Sequence, residues 1–374
     1  MNFSPSEDHQ AFAGLAAQIL TASASHDRLR TIEAAEGPRF DRALWHEMVE
    51  AGLVSIAIPE AYGGAGQGFF ELSGIIEEVG RRTAPVPFLE TTVLGALPIA
   101  EFGSEAQKQA LLPSAARGEC ILTAALVEDL ADPERPTTRA EPDGDGFRLD
   151  GRKICVPAGQ IAHRVLVPAR GPGGEILIFI VDPAAEGVGT EPLATTSGQP
   201  EASLELEGVR VGADDRLGDP DAGPEILAWI RERATSALCS LALGVCEEAL
   251  RLTADYTKTR KQFGQPLATF QAVGQRQADA YVDTEGVRLT AWQAAWRISA
   301  DLPASEAVAV AKYWAATAGQ RVVHSAAHLH GGMGVDRDYP LHRYFLYAKQ
   351  IELSLGGSSY QLRSLGKMLA QGTA

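Results

Sequence analysis

Two hydrophobic rhythms alternate along the chain. Up to about residue 117 the apolar positions recur every three or four residues. Phe12, Leu15, Ile19 and Leu20 follow Ser6, which reads as a helix N-cap, and Leu44, Trp45, Met48 and Val49 follow Asp41 in the same way. Segments 71–82 and 87–102 read as two more helices, Ser104 caps another, and the glycine-rich stretch 59–68 reads as a loop. From about residue 118 the period shortens. Runs 120–127, 146–156, 164–168, 175–181 and 202–206 are short and apolar or alternating, and Asp143-Gly144, segment 171–174 and Pro183 punctuate them. That pattern predicts a small antiparallel barrel or sandwich. Segment 129–145, rich in Pro, Asp and Glu, reads as an exposed loop.

After Pro224 the helical period returns. Leu238, Leu241, Ala242, Val245, Ala249, Leu252 and Tyr256 share one face, as do Ala307, Val310, Ala311, Trp314 and Ala318. Long helices with short connections predict a bundle, with the helix before Arg260 beside the one after Phe270. The expected fold class is α+β, mostly α. Its expected domains are helical over 1–117, β over 118–222 and a helical bundle over 223–374.

Charge narrows the choice of partners. A formal charge of −15 over 374 residues argues against nucleic acid and against an anionic membrane surface. The most apolar run, 234–246, is too short to span a bilayer. The first residues, MNFSPSEDHQ, lack the basic and apolar regions of a signal peptide, so a cytoplasmic location is expected. Cys120, Cys155, Cys239 and Cys246 form no CxxC pair and read as small buried residues. His324, His328 and His330 have no metal-ligand spacing: His324 and His328 share a helix face without a third ligand, so no metal is expected, and all three read as packing or interface residues.

The chemistry concentrates in residues 260–274, RKQFGQPLATFQAVG. Arg260 offers a planar fork of donors suited to paired phosphate oxygens, and Phe263 offers a face for a ring. Gly264 and Pro266 end the preceding helix. The same residues would also make an ordinary helix end with a turn and a buried Phe. A second cluster, HLHGGMG, places Gly331, Gly332 and Gly334 at the end of another helical run, leaving backbone open to a bulky group.

Together with the early loop IPEAYGGAG (58–66), these motifs resemble those of the acyl-CoA dehydrogenase family, in the family's order and over nearly the whole chain. The resemblance implies a three-domain flavoenzyme that takes two hydrogens from Cα and Cβ of an acyl-CoA thioester. A carboxylate removes the α proton and FAD accepts the hydride. It also implies that FAD lies across a subunit interface, its ring in one subunit and its adenosine diphosphate end on the neighbour. The residues matching that second half are Arg260, Gln262, Phe263, Gln271, His328, Gly331, Gly332 and Gly334.

The other half departs from the family pattern. The usual base position falls on Leu355, and the alternative one, in the first long C-terminal helix, falls on Ala234. Neither side chain takes a proton. Losing a positioned base costs roughly 10²–10⁴ in rate. Glu232 and Glu352 are the nearest carboxylates that could stand in, and both read more simply as solvated or ion-paired acids. Where the family carries ring-contacting Thr, Trp and Thr, this chain has Val127, Cys155 and Pro157.

The resemblance therefore points to the base-lacking subunit of a heteromeric, α2β2 acyl-CoA dehydrogenase, similar to those of steroid-degrading bacteria. A Glu-bearing partner would supply the base and ring pocket, and this chain would hold the adenosine diphosphate end of the shared FAD. The implied substrate is a bulky steroid- or polycyclic-acyl-CoA, with an electron-transferring flavoprotein as acceptor. Three alternatives stay open: a self-sufficient homotetramer with a relocated carboxylate, a same-fold flavin monooxygenase, and a flavin-free scaffold subunit.

Overall fold

The computed structural model describes residues 5–372. The helices are α1 (Glu7–Ser23), α2 (His26–Ala34), α3 (Arg42–Glu50), α4 (Phe69–Arg82), α5 (Leu97–Phe102), α6 (Glu105–Ala116), α7 (Gly223–Thr259), α8 (Gln271–Ser299), α9 (Ser305–His330), α10 (Leu341–Leu353) and α11 (Ser358–Gln371). A π-helical stretch, Glu90–Ala96, runs into α5. The strands are β1 (Leu122–Ala124), β2 (Arg139–Asp143), β3 (Gly146–Val156), β4 (Arg164–Arg170), β5 (Ile176–Val181), β6 (Val188–Pro192), β7 (Ala202–Val211) and the short pair β8 (Lys261–Gln262) and β9 (Gln265–Pro266). This is the α+β, mostly helical fold expected from the sequence.

The caps fall where the sequence puts them. Ser6 and Asp41 accept the backbone N–H of His9 and Leu44, and Ser104 forms a reciprocal capping box with Gln107. Such caps fix helix starts because they satisfy donors that the helix itself leaves orphaned.

The chain forms two compact units. One holds Thr31–Gln67 and Pro85–Ala234 and contains the seven-stranded sheet. Leu149, Val156, Val165, Val167, Phe179, Leu204 and Val209 fill one face of that sheet. The expectation of a purely antiparallel sheet does not hold. β4 pairs with β1 and β2 in parallel and with β5 antiparallel, so the sheet is mixed. Segment 129–145 is not all loop either. Residues 139–143 form β2, paired with β3 across the Asp143/Gly146 turn, although only Ala140 is buried. A strand with one buried side chain leaves no alternation to detect. β6, with its exposed GTEP sequence, carries no alternation for the same reason.

The other unit holds residues up to Arg30, Gly68–Ala84 and everything from Thr235 onward. Leu243, Val287 and Ala318 meet between α7, α8 and α9, flanked by Trp292 and Trp314. Cys246, Ala280 and Val322 form a second layer. Gln277 on α8 donates to the Thr257 hydroxyl on α7 at 2.7 Å, which makes neighbours of the two helices that flank the Arg260 segment. A charged cluster is buried in the same unit: Arg81 pairs with Glu77, Glu78 and Glu247, and Arg288 also reaches Glu247.

Candidate functional site

α7 stops at Thr259, where the Arg260 N–H still donates to the Tyr256 carbonyl at 2.8 Å. The next residues fold into a tight hairpin, with Lys261 opposite Pro266 and Gln262 opposite Gln265. Its two central residues both have positive φ, Phe263 at 53° and Gly264 at 81°. Two-residue hairpins of this type need that geometry at both positions. Glycine adopts it freely. Phenylalanine does so at a cost of about 1–3 kcal/mol. The strain is not relieved by burial, because Phe263 is 92% exposed, with only an edge-on contact to Phe270. The buried-Phe alternative is therefore excluded. Arg260 and Gln262 are also exposed, and the Arg260 guanidinium has no ion-pair partner among the described residues. Gln271 stands exposed at the first position of α8.

The glycine cluster sits at the end of α9. Gly331 takes φ 60° and ψ −135°, a conformation that only glycine adopts readily. A Cβ added at Gly331 or Gly332 would meet nothing within 4 Å, whereas one at Gly334 would come within 2.6 Å of the Ala327 carbonyl. The first two therefore present bare backbone outward, and the third permits close packing.

Two residues read as packing groups, Tyr256 and His330, join these two motifs. The Tyr256 ring stacks on His330, the last residue of α9, with 4.3 Å between centroids. His330 Nδ1 lies 2.8 Å from the Ala326 carbonyl, which can only accept, so Nδ1 carries the proton. Nε2 then accepts from the Tyr339 hydroxyl at 3.2 Å. Burial holds this histidine below its ordinary pKa and favours that neutral form. Further along the glycine loop, the Asp338 carbonyl is bound by His26 Nε2 and the Asp338 carboxylate by Arg30, while Arg343 donates to His26 Nδ1 at 2.7 Å. No local pattern reveals this anchoring, since more than 300 residues separate His26 from its partners.

His328, exposed one turn before Gly331, accepts from Arg276 of α8 at 2.9 Å through Nδ1. Both residues line an open groove of about 690 Å³ between α8 and α9, together with Asp279, Asp283, Arg321 and His324. Arg321 and Asp283 are paired at 2.8 Å. A free guanidinium, a projecting aromatic ring and open glycine backbone are together suited to an anionic ligand bearing a flat ring.

The positions expected to carry a base hold none. Leu355 lies in the link between α10 and α11, at φ 53°. The link is fixed rather than loose. The buried Lys312 ammonium donates to the carbonyls of Ile351, Glu352 and Gly356, and Gln361 donates to those of Leu355 and Gly356. Burial brings the Lys312 ammonium down to about 8. Because α10 ends at Leu353, Glu352 and Leu355 do not share a helix face. Glu352 is ion-paired with Lys349 at 2.5 Å. Ala234 is buried within α7, and Glu232 lies 3.8 Å from Arg233.

In the sheet-bearing unit, the Val127 carbonyl accepts the Ile154 N–H and the Pro157 carbonyl accepts the Thr123 hydroxyl. Cys155, expected to be buried, is exposed, with φ 50°, at a register shift between Lys153 and Val156. Irregularity of this kind turns a side chain out of the strand alternation. Beside it lies a buried pair, Lys153 Nζ and Glu128 at 2.6 Å. Burial opposes ionisation of Glu128, but Lys153, Thr137 and Thr138 outweigh it and hold the carboxyl down at about 2. The pair ties the acidic segment to β3.

The fold and these motifs define a class. Residues 6–119 match the acyl-CoA dehydrogenase N-terminal domain and residues 230–370 the acyl-CoA dehydrogenase C-terminal domain. The chain belongs to the acyl-CoA dehydrogenase family. Among its relatives is acyl-CoA dehydrogenase FadE27 of Mycobacterium tuberculosis, 42% identical, with 99% of each chain covered. A chain in the crystal structure of the ChsE4–ChsE5 complex from Mycobacterium tuberculosis superposes with a TM-score of 0.94, at 42% identity and 99% coverage of both chains. A chain of the Tcur3481–Tcur3483 steroid acyl-CoA dehydrogenase superposes with a TM-score of 0.90, at 44% identity and 98% coverage of both.

Proposed function

We propose that this chain is the base-lacking subunit of a heteromeric, FAD-dependent acyl-CoA dehydrogenase, and that it binds the adenosine diphosphate end of a FAD whose ring lies in a partner subunit. One contrast carries the proposal. Phe263 is strained and fully projected beside the free Arg260, while a leucine occupies the fixed link at the base position. Strained backbone clusters at ligand clamps and active sites, which makes an exposed aromatic at φ 53° a candidate ligand contact.

Arg260 would hold the pyrophosphate, Phe263 would pack on the flat adenine, and the amides at Gly331 and Gly332 would serve phosphate oxygens. Gln262, Gln271 and His328 add donors around them. When bound, FAD would supply the hydride acceptor. The partner supplies the Glu that takes the α proton, since Leu355 and Ala234 cannot. Val127, Cys155 and Pro157 offer no side-chain hydroxyl to a flavin ring of this chain's own.

The 44% identity to a chain of a steroid acyl-CoA dehydrogenase supports a steroid-derived acyl-CoA as substrate of the assembled complex. The identity to a chain of the ChsE4–ChsE5 complex supports an unlike partner, and the proposed assembly is α2β2. An electron-transferring flavoprotein is the proposed acceptor and the cytoplasm the proposed location. No helix among the described residues is long and apolar enough to cross a membrane. Arg260→Ala tests the assignment: the co-purified complex should lose flavin, and undiminished flavin would refute it.

A further inference from the structure

We infer that Arg276 is a positioning residue for His328: it fixes the ring's tautomer so that Nε2–H is presented to an anionic oxygen of the ligand held by the Arg260 and glycine motifs. The inference rests on the function proposed above, and it adds a residue outside both motifs.

The argument starts from donor chemistry. Arginine carries five N–H donors and no acceptor. A guanidinium nitrogen 2.9 Å from His328 Nδ1 therefore donates, and Nδ1 must be the ring's lone pair. The proton of the neutral ring then sits on Nε2. Among the described residues Nε2 has no hydrogen-bond partner, and the side chain is exposed. His330, two residues on, has the opposite tautomer, because its Nδ1 faces a carbonyl. Two histidines flanking one leucine are thus set in opposite senses, each by a single neighbour. One faces inward and locks the end of α9. The other is left with an outward donor one turn before the open backbone of Gly331 and Gly332.

Arg276 itself is exposed and lines the groove between α8 and α9, where Arg321 is already committed to Asp283. A lysine at position 276 could supply charge but not the planar, directed fork. Without Arg276 the His328 ring would be free to shift its proton to Nδ1, leaving a lone pair on Nε2 that repels a phosphate oxygen.

The test has two parts. In the full chain labelled with ¹⁵N-histidine, the His328 signals, assigned by their loss in His328→Gln, should show the Nε2–H tautomer, and Arg276→Ala should shift them toward a mixture. In the heteromeric complex, Arg276→Ala should weaken FAD binding about ten-fold, the scale of one lost hydrogen bond. In a His328→Gln background, whose amide N–H reaches the same place without a tautomer to set, Arg276→Ala should change FAD affinity by less than two-fold. An equal loss in both backgrounds would mean that Arg276 acts directly on the ligand, and the inference would be wrong. A Nδ1–H tautomer in the unsubstituted chain would also overturn it. If Arg260→Ala leaves FAD affinity untouched, the proposed function fails, while the ¹⁵N result still decides the tautomer.

Discussion

The Tyr256 ring stacks on the His330 ring at 4.3 Å and 24° from parallel. Tyr256 lies one helical turn before Arg260 and accepts its N–H, and His330 lies directly before Gly331. One aromatic contact thus sets the spacing of the cationic and glycine motifs. Such pairs contribute ~0.5–1.5 kcal/mol beyond area burial. Tyr256→Ala should destabilise the chain by about 2–4 kcal/mol in urea denaturation and lower the flavin content of the complex. Tyr256→Phe keeps the stack and loses only a 3.4 Å hydrogen bond, so it should retain both. Flavin loss in the Phe variant would show that the hydroxyl, rather than the stack, matters.

Phe263 sets stability against binding. Asn-Gly is the most favoured pair for a two-residue hairpin with positive φ at both positions. Phe263→Asn should therefore raise the stability of the chain by up to ~1 kcal/mol, because little burial is lost at a residue that is 92% exposed. The same change should lower flavin retention by the complex. A variant that is less stable yet keeps its flavin would contradict the role given to this residue.

The buried cluster around Arg81 makes stability depend on pH. Burial, and then the neighbouring Glu247 carboxylate, push Glu77 up from 4.5 to about 8, against the pull of Arg81. The folded chain therefore keeps a proton that the unfolded chain releases. This contribution is fully present below about pH 4.5 and is lost as pH rises through about 8. The slope from one such group reaches at most about 1.4 kcal/mol per pH unit. Denaturant titrations between pH 5 and 8.5 should show a shallower fall in stability for Glu77→Gln than for the unsubstituted chain. Parallel curves would mean that Glu77 is ionised throughout.

Restoring the base should not restore catalysis. Leu355→Glu puts a carboxylate on a link that Lys312 and Gln361 already hold in place. Val127, Cys155 and Pro157 would still lack the hydroxyls, so the lone chain should show no acyl-CoA-dependent dye reduction. Turnover by that variant would place a complete flavin site within this chain.

Much of this architecture was legible in the residues. Ser6, Asp41 and Ser104 marked helix starts because capping is local chemistry, and the apolar stripes of α7 and α9 gave the bundle. The RKQFG and GGMG clusters stood out because their residue types are unusual together. β2 and β6 were hidden because nearly all of their side chains face solvent. The exposure of Cys155 comes from a register shift, which composition does not encode. The strain at Phe263 requires φ. The supports of the site, Tyr256, His330, His26 and Arg276, are ordinary residues brought together by the fold from distant parts of the chain.

Flavin stoichiometry tests the central claim most directly. Visible absorbance should be measured on the chain purified alone and again after co-purification with a Glu-bearing partner subunit. The account predicts no bound flavin in the first sample and one FAD per heterodimer in the second. One FAD per chain in the lone protein would contradict it, and would mean that the unit bearing Val127, Cys155 and Pro157 holds a flavin ring after all.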